Sequence, residues 1–182
     1  MAARSDRQAM IDRPECYSAT ETLQDGQRVE IRALAPEDRE ALEAAVDRVS
    51  PLSLYRRFFA VKTFFTEKEA QFFVDVDFKK HVALVAVIDE GGRPVIVGGG
   101  RYVLVANEKA EVAFTVIDTC QGKGLGTILL KHLITIARSA GVRQFVAEVL
   151  SENRPMLHVF QHSGLPMSIR SSSDVTHVTL DL

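Results

Sequence analysis

The sequence is poor in several features that mark whole protein classes. Its 182 residues include two cysteines, Cys16 and Cys120. Two are too few for a disulfide scaffold, and neither sits in a C-x-x-C or other zinc spacing. They read as free thiols of a reducing compartment. No stretch approaches the roughly 18 apolar residues of a membrane span. Residues 1–24 carry scattered charge and no apolar centre of signal-peptide length. The expectation is a cytoplasmic protein with no membrane partner. There is no basic excess either: the formal net charge is -2. That argues against a dedicated nucleic-acid binder.

What is present suits one globular domain. A hydrophobic share of 46% against a charged share of 25% leaves room for a single core. Residues 1–26 are polar and aperiodic, and read as a flexible N-terminal arm ahead of a domain over 27–182. Order is expected from Arg28-Val-Glu-Ile-Arg-Ala, an alternating strand. Pro36-Glu-Asp opens a helix, with Ala41, Leu42, Ala45 and Val46 as its apolar stripe. Ser50-Pro51 interrupts it. Residues 53–78 read as helical and aromatic, with Tyr55, Phe58, Phe59, Phe64, Phe65, Phe72, Phe73 and Phe78, and Thr66-Glu-Lys-Glu as a capping signature. These rings are either core or the wall of a substrate cleft, and the two readings are compatible.

Three strands are expected next, over 82–89, 94–105 and 110–118, separated by turns at Glu90-Gly-Gly-Arg-Pro and Asn107-Glu-Lys. A helix follows from about 125 to 140, stopped at Gly141. A strand over 144–150, a short helix over 155–163 closed by Gly164, and strands over 167–170 and 175–182 complete the chain. The hairpins imply antiparallel pairing, and the strand–helix–strand crossover over 110–150 implies one parallel pair. The fold class is α+β, with a mixed α/β sheet.

The strongest chemical feature is Gln121-Gly-Lys-Gly-Leu-Gly-Thr127, between a strand and a long amphipathic helix. Glycines let backbone turn tightly and approach a ligand. The first N–H groups of a helix lack internal partners and lie at the positive end of its dipole, which suits a pyrophosphate. Lys123 would add charge. A Walker loop needs G-x-x-x-x-G-K-[ST], which the chain lacks. A dinucleotide fingerprint needs G-x-G-x-x-G, and here the third glycine is misplaced. A plain glycine-rich turn without a ligand is the bland alternative.

What fits is [Q/R]-x-x-G-x-[G/A], as Gln121, Gly124 and Gly126. Through this motif the sequence resembles the GNAT superfamily of N-acetyltransferases, from about Val29 to Leu182. The resemblance implies acetyl-CoA as co-substrate and no metal. It also implies a strand before the loop that splays from its parallel neighbour. Phe114, Thr115 and Val116 would then offer backbone groups to pantetheine. Gln121, Gly122, Lys123, Gly124, Leu125, Gly126 and Thr127 would hold the pyrophosphate. Many members also show N-x6-Y-x3-G, whose Asn contacts the cofactor and whose Tyr protonates the leaving thiolate. It is matched here by Asn153 and Gly164 but with Phe160 at the Tyr position, and the resemblance places Asn153 and Phe160 at the cofactor. A phenyl ring cannot donate a proton.

Ser50-Pro-Leu-Ser-Leu-Tyr-Arg-Arg-Phe-Phe, Val76-Asp-Phe with Val82-Ala-Leu-Val-Ala-Val, and Ala110-Glu-Val-Ala-Phe-Thr-Val narrow the resemblance. They look like the catalytic domain of bacterial Pat-type protein lysine acetyltransferases. In that family the Glu of A-E-V-A-F is the proposed general base, which maps to Glu111. Members often carry a cyclic-nucleotide-binding or acyl-CoA-synthetase-like domain, and neither is expected in these 182 residues. From spacing alone, Glu111 is equally a solvated strand-end charge.

The remaining chemistry-bearing residues read more plainly. His158 and His162 lie four apart on one helix face without an evident third metal ligand. His81, beside Lys79 and Lys80, reads as a surface loop, and His132 as the polar face of the 125–140 helix. Asp75 and Asp77 solvate a turn or line an amine site. Cys120 adjoins the glycine loop without an evident His or acid partner. The expected function is acetyl transfer from acetyl-CoA to an amine, a protein lysine side chain, with Glu111 as base. Alternatives are a small-molecule amine as acceptor, a non-catalytic acyl-CoA sensor, and a nucleotide-phosphate protein. Sequence leaves monomer and homodimer both open.

Overall fold

The structure, a computed structural model, describes residues 11–60 and 66–182. Its strands are β1 (Ser18–Thr22), β2 (Arg28–Ala33), β3 (His81–Asp89), β4 (Pro94–Ala106), β5 (Lys109–Val116), β6 (Gln144–Leu150), β7 (Met167–Ser172) and β8 (Val175–Asp181). They form one sheet in the order β1-β2-β3-β4-β5-β6-β8-β7. Every neighbouring pair is antiparallel except β5 and β6. This is the expected mixed sheet, with the crossover after β5 supplying the parallel pair.

Five helices flank it: α1 (Arg39–Val46), α2 (Pro51–Phe58), α3 (Glu67–Val74), α4 (Leu125–Ser139) and α5 (Arg154–Gln161). Each starts where local chemistry dictates. Ser50 caps α2 by accepting the Ser53 N–H at 3.3 Å, with Pro51 in the first turn. Thr66 and Glu69 form a reciprocal capping box on α3. Asn153 caps α5 by accepting the Met156 N–H at 3.3 Å. The helical stretch expected over 53–78 is thus two short helices. Residues 61–65, including Phe64 and Phe65, lie outside the described residues.

α4 drives its apolar face into the sheet through Leu125, Leu129, Leu130, Leu133, Ile136 and Ala137, all buried. Full burial of each leucine stabilises by roughly 2 kcal/mol. One strand residue makes this approach feasible. A β-carbon on Gly100 would lie 2.8 Å from the Phe114 ring and 3.0 Å from Leu133, so only glycine fits. On the other side of β2, Arg32 makes two parallel hydrogen bonds of 2.7 Å to Asp38. Asp38 also accepts the Ala35 N–H at 2.8 Å, which ties β2 to the turn entering α1.

Three local readings change. The segment read as an arm over 1–26 supplies β1, paired along its length with β2, and Tyr17 and Leu23 at its ends are buried. Residues 1–10 lie outside the described residues. His132 is buried rather than on a polar face, because it bridges Tyr17 and Glu21 and so ties β1 to α4. His81 is buried at the start of β3, not in a surface loop. Its Nδ1 reaches the Asp75 carbonyl at 3.2 Å and its ring stacks on Phe72. Asp77 takes the turn role: Oδ1 accepts the N–H groups of Lys79, Lys80 and His81 at 2.8–2.9 Å.

Candidate active site

The parallel pair is short. β5 and β6 register only at Lys109–Gln144, Ala110–Phe145 and Glu111–Val146. β5 nevertheless continues to Val116 and β6 to Leu150, each still paired with its other neighbour. Past Glu111 the two strands therefore diverge, leaving one edge of β5 free. A cleft of about 570 Å³ opens there, a size that suits a cofactor arm. Glu111 stands at the fork, exposed, as the last paired residue.

The cleft is lined by Glu111, Phe114, Thr115, Val116, Gln121, Gly122, Gly124, Leu125, Gly126, Thr127, Asn153 and Phe160. These are the expected site residues with one exception. The Lys123 ammonium pairs with Asp25 at 2.9 Å, and Lys123 does not line the cleft. That contact holds the Lys123 ammonium above its ordinary pKa and the Asp25 carboxyl below its own.

At the far end lies the start of α4. Gly124 sits at its N-cap with φ +86, a left-handed conformation that favours glycine. It provides no side-chain cap. The first bond across the helix start runs from the Ile128 N–H to the Gly124 carbonyl at 3.1 Å. The N–H groups of Leu125, Gly126 and Thr127 precede it, at the positive end of the dipole. Such an end suits a pyrophosphate. The Gln121 amide clamps the loop: the two N–H groups of Nε2 are shared among Ser53 Oγ at 3.1 Å, the Val116 carbonyl at 3.0 Å and Asp118 Oδ1 at 3.2 Å.

Phe160 is buried and meets Phe114 edge to face, with centroids 6.2 Å apart. It closes the cleft floor and offers no proton. The Asn153 oxygen is engaged as the α5 cap. Cys120 is buried at the rim, and His158 stacks on His162 at 3.8 Å. Among the described residues no cluster of three or more metal-ligating side chains occurs, and no helix is long and apolar enough to cross a membrane.

Sequence reasoning gave no site role to Gln24, Ser53, Arg56 and Arg57, which also line the cleft together with Phe58, one of the rings read as core or cleft wall. Four of them sit in α2, within a segment whose match to a family was visible but whose place beside β5 was not. Arg57 and Phe58, with Ala113 and Thr115, are shared with a second cavity of about 790 Å³ between the sheet and α1–α3.

The comparisons with known proteins agree with this geometry. Residues 50–165 match the model of the acetyltransferase (GNAT) family. The chain is 36% identical over 137 residues to the acetyltransferase PA5475 of Pseudomonas aeruginosa, covering 75% of this chain and 74% of that protein. It is 34% identical over 136 residues to the acetyltransferase Pat of Mycolicibacterium smegmatis, covering 74% of this chain but 40% of that longer protein. The crystal structure of the GNAT domain of S. lividans PAT superposes with a TM-score of 0.82 at 33% identity, over 91% of this chain and 97% of that one. The fork between β5 and β6, the open start of α4 and these matches lead to one assignment: the chain belongs to the GNAT family and is an acyl-CoA-dependent N-acetyltransferase.

Proposed function

We propose that the chain transfers the acetyl group of acetyl-CoA directly to an amine, a lysine side chain of a protein, with Glu111 as general base. The observation that supports this most is the place of Glu111 at the fork, lining the cofactor cleft two residues before Ala113, which also lines the second cavity. A free lysine is protonated at neutral pH, with a pKa near 10.4, and must lose a proton to attack. Glu111 accepts that proton directly or through one water. Bound acetyl-CoA supplies the activated thioester. The C–N bond forms as the C–S bond breaks, and the departing thiolate takes a proton from solvent, since Phe160 has none to give.

The rest of the site positions. The Leu125, Gly126 and Thr127 N–H groups hold the pyrophosphate. The free edge of β5 over Phe114, Thr115 and Val116 pairs with the pantetheine arm and faces the thioester oxygen with N–H groups. The surface of α2 supports a protein acceptor: Leu52 and Tyr55 on it and Phe59 just after it are exposed large side chains, and Phe59 also lines the cleft. A small amine is a second reading, favoured by the second cavity, whose volume is that of a small-molecule site.

Transfer of isotopically labelled acetyl from acetyl-CoA in a host lysate tests this, with Glu111→Gln as control. Label in a protein band, lost in the variant, is the expected result. Label confined to small molecules moves the acceptor to the second reading. Label unaffected by the substitution removes Glu111 as the base.

A further inference from the structure

The second cavity contains an electrostatic anomaly. Of the three arginines that line it, Arg39 is matched with acids, as are Arg32, Arg48 and Arg56 outside its lining. Arg32 pairs with Asp38, Arg39 with Glu43 and Glu67, Arg48 with Glu90, and Arg56 with Glu152. Arg57 and Arg101 are not. Both are partly buried and both line the cavity. Among the described residues no carboxylate forms an ion pair with either. Burial lowers the Arg101 pKa to about 9, with the nearby Arg57 charge adding to the effect. Burial also lowers that of Arg57, against the opposing pull of Glu111. Two like charges near each other, with the Glu111 carboxylate acting on Arg57 and no carboxylate of the described residues acting on Arg101, are unfavourable unless something else neutralises them.

Arg101 is also held in place. In β4 it registers with Ala83 of β3 and Ala113 of β5, so its flanking side chains are small and leave room above the sheet. Nη1 donates to the Phe73 carbonyl at 3.3 Å and meets His81 Nε2 at 3.1 Å, while the guanidinium lies over the Phe73 ring at 4.7 Å. His81 Nδ1 faces the Asp75 carbonyl, so Nδ1 carries the proton and Nε2 accepts from Arg101. Burial, and next the Arg101 charge, lower the His81 pKa, so the ring stays neutral in this role. These contacts orient the guanidinium without cancelling its charge. A planar fork so oriented matches a carboxylate in two-pronged fashion. Arg57 lines both the cavity and the cofactor cleft and so reaches toward Glu111.

We infer that the Arg57–Arg101 cavity is a carboxylate subsite for the acceptor, so that the amine acetylated here belongs to a molecule carrying a carboxylate within reach of that amine. The carboxylate neutralises the two guanidiniums while the amine stands at Glu111. This rests on the acetyl-transfer reading and deepens it. The carboxylate comes from one of two sources: a free amino acid, or an acidic residue beside the lysine of a protein.

The test uses the full chain with matched pairs. Free amino acids are compared with the corresponding amino-acid amides. Lysine peptides with a neighbouring Asp or Glu are compared with their Asn or Gln counterparts. CoA release gives kcat/KM. Calorimetry in the presence of CoA gives the affinity of N-acetyl amino acids against their amides. The expected result is a preference of about tenfold or more for the acid in one series, because a site built for a polar group rejects the analogue lacking it. Arg101→Gln should reduce that preference to within about twofold, and Arg101→Lys should restore part of it. Preference in the free series assigns a small acceptor, and preference confined to peptides assigns a protein side chain. Equal use and equal binding of acid and amide in both series, including no binding of either, overturns the subsite. Discrimination in binding without any CoA release would sustain the subsite while removing the acetyl-transfer reading.

Discussion

The two cavities, which share Arg57, Phe58, Ala113 and Thr115, are built by opposite means. The cofactor cleft is a backbone construction: a strand edge freed where β5 leaves β6, and an uncapped helix start set by Gly124. Leu125 and Phe160 in its lining are buried, and its larger side chains Arg56, Arg57, Phe58 and Phe59 come from α2 and the residue after it. The neighbouring cavity is a side-chain construction. Its floor is open because Ala83 and Ala113 flank Arg101, and its character comes from guanidiniums and rings delivered by β4, α2 and α3. A cleft built from backbone and a cavity built from side chains need not vary together, and a shared fold does not fix an acceptor.

The comparison is most sharply tested at Glu111, in the cofactor cleft beside the residues that both cavities share. Glu111→Gln removes the proposed proton acceptor and keeps the shape, so kcat should fall about a hundredfold with acetyl-CoA affinity unchanged. A loss in affinity of the same size would place Glu111 in the cofactor cleft alone. Unchanged kcat would leave it a solvated strand-end charge.

The next effect belongs to the frame of the acceptor side. Asp38 is drawn in two directions: burial raises its pKa, while the Arg32 guanidinium and the Ala35 N–H lower it further, for a net depression. A carboxyl depressed in the folded state contributes stability that is present above its unfolded pKa near 3.9 and is lost as pH falls through the lower folded value. Asp38→Asn should cost about 2 kcal/mol at pH 7, since it leaves Arg32 without its partner. The gap to the native protein should close as pH drops below about 4. Thermal unfolding at a series of pH values reads both. The acetyl-CoA affinity of the folded variant should not move; if it does, the two halves are coupled through the sheet.

How far sequence carried the assignment follows from the same division. Glycines, a helix start and strand order are written locally, so the crossover and the loop over 121–127 could be anticipated, while the fork followed only from the resemblance to a family. The cavity wall could not. Arg57 and Arg101 lie 44 positions apart (101 - 57), and nothing local states that β4 brings one beneath the other. His81 and His132 were misplaced for a related reason. Each looks polar among charged neighbours, but each is buried by a distant partner, Phe72 stacking on one and Tyr17 bonding the other. β1 went unseen because its residues, Ser18-Ala-Thr-Glu-Thr22, offer weak alternation and depend on pairing with β2.

A smaller effect tests whether backbone geometry makes the cofactor cleft. Gly124→Ala places a β-carbon at φ +86, a strain of about 1–2 kcal/mol that the loop relieves by shifting. The nearest atom, Gln24 Nε2 at 3.2 Å, belongs to a flexible side chain and can yield. Acetyl-CoA affinity should fall about tenfold in calorimetry, and acceptor KM should stay constant. Unchanged affinity would mean that the left-handed turn does not shape the binding site.

The smallest effect is the most discriminating. Lys123 is the one residue of the loop whose charge suggests a phosphate contact, yet its ammonium lies against Asp25 at 2.9 Å, and its carbonyl accepts the Gln24 N–H at 3.0 Å. It fastens the β1–β2 turn to the loop. Both partners are substantially exposed, and such pairs contribute little at physiological salt. Lys123→Ala should therefore change acetyl-CoA affinity by no more than about twofold, and Asp25→Ala by a similar amount. Calorimetry at two ionic strengths separates the cases. A tenfold loss in Lys123→Ala that shrinks with salt, without a matching loss in Asp25→Ala, would mean the ammonium leaves Asp25 for the pyrophosphate when the cofactor enters. The cofactor cleft would then owe part of its affinity to a side chain, and the contrast between the two cavities would be one of degree.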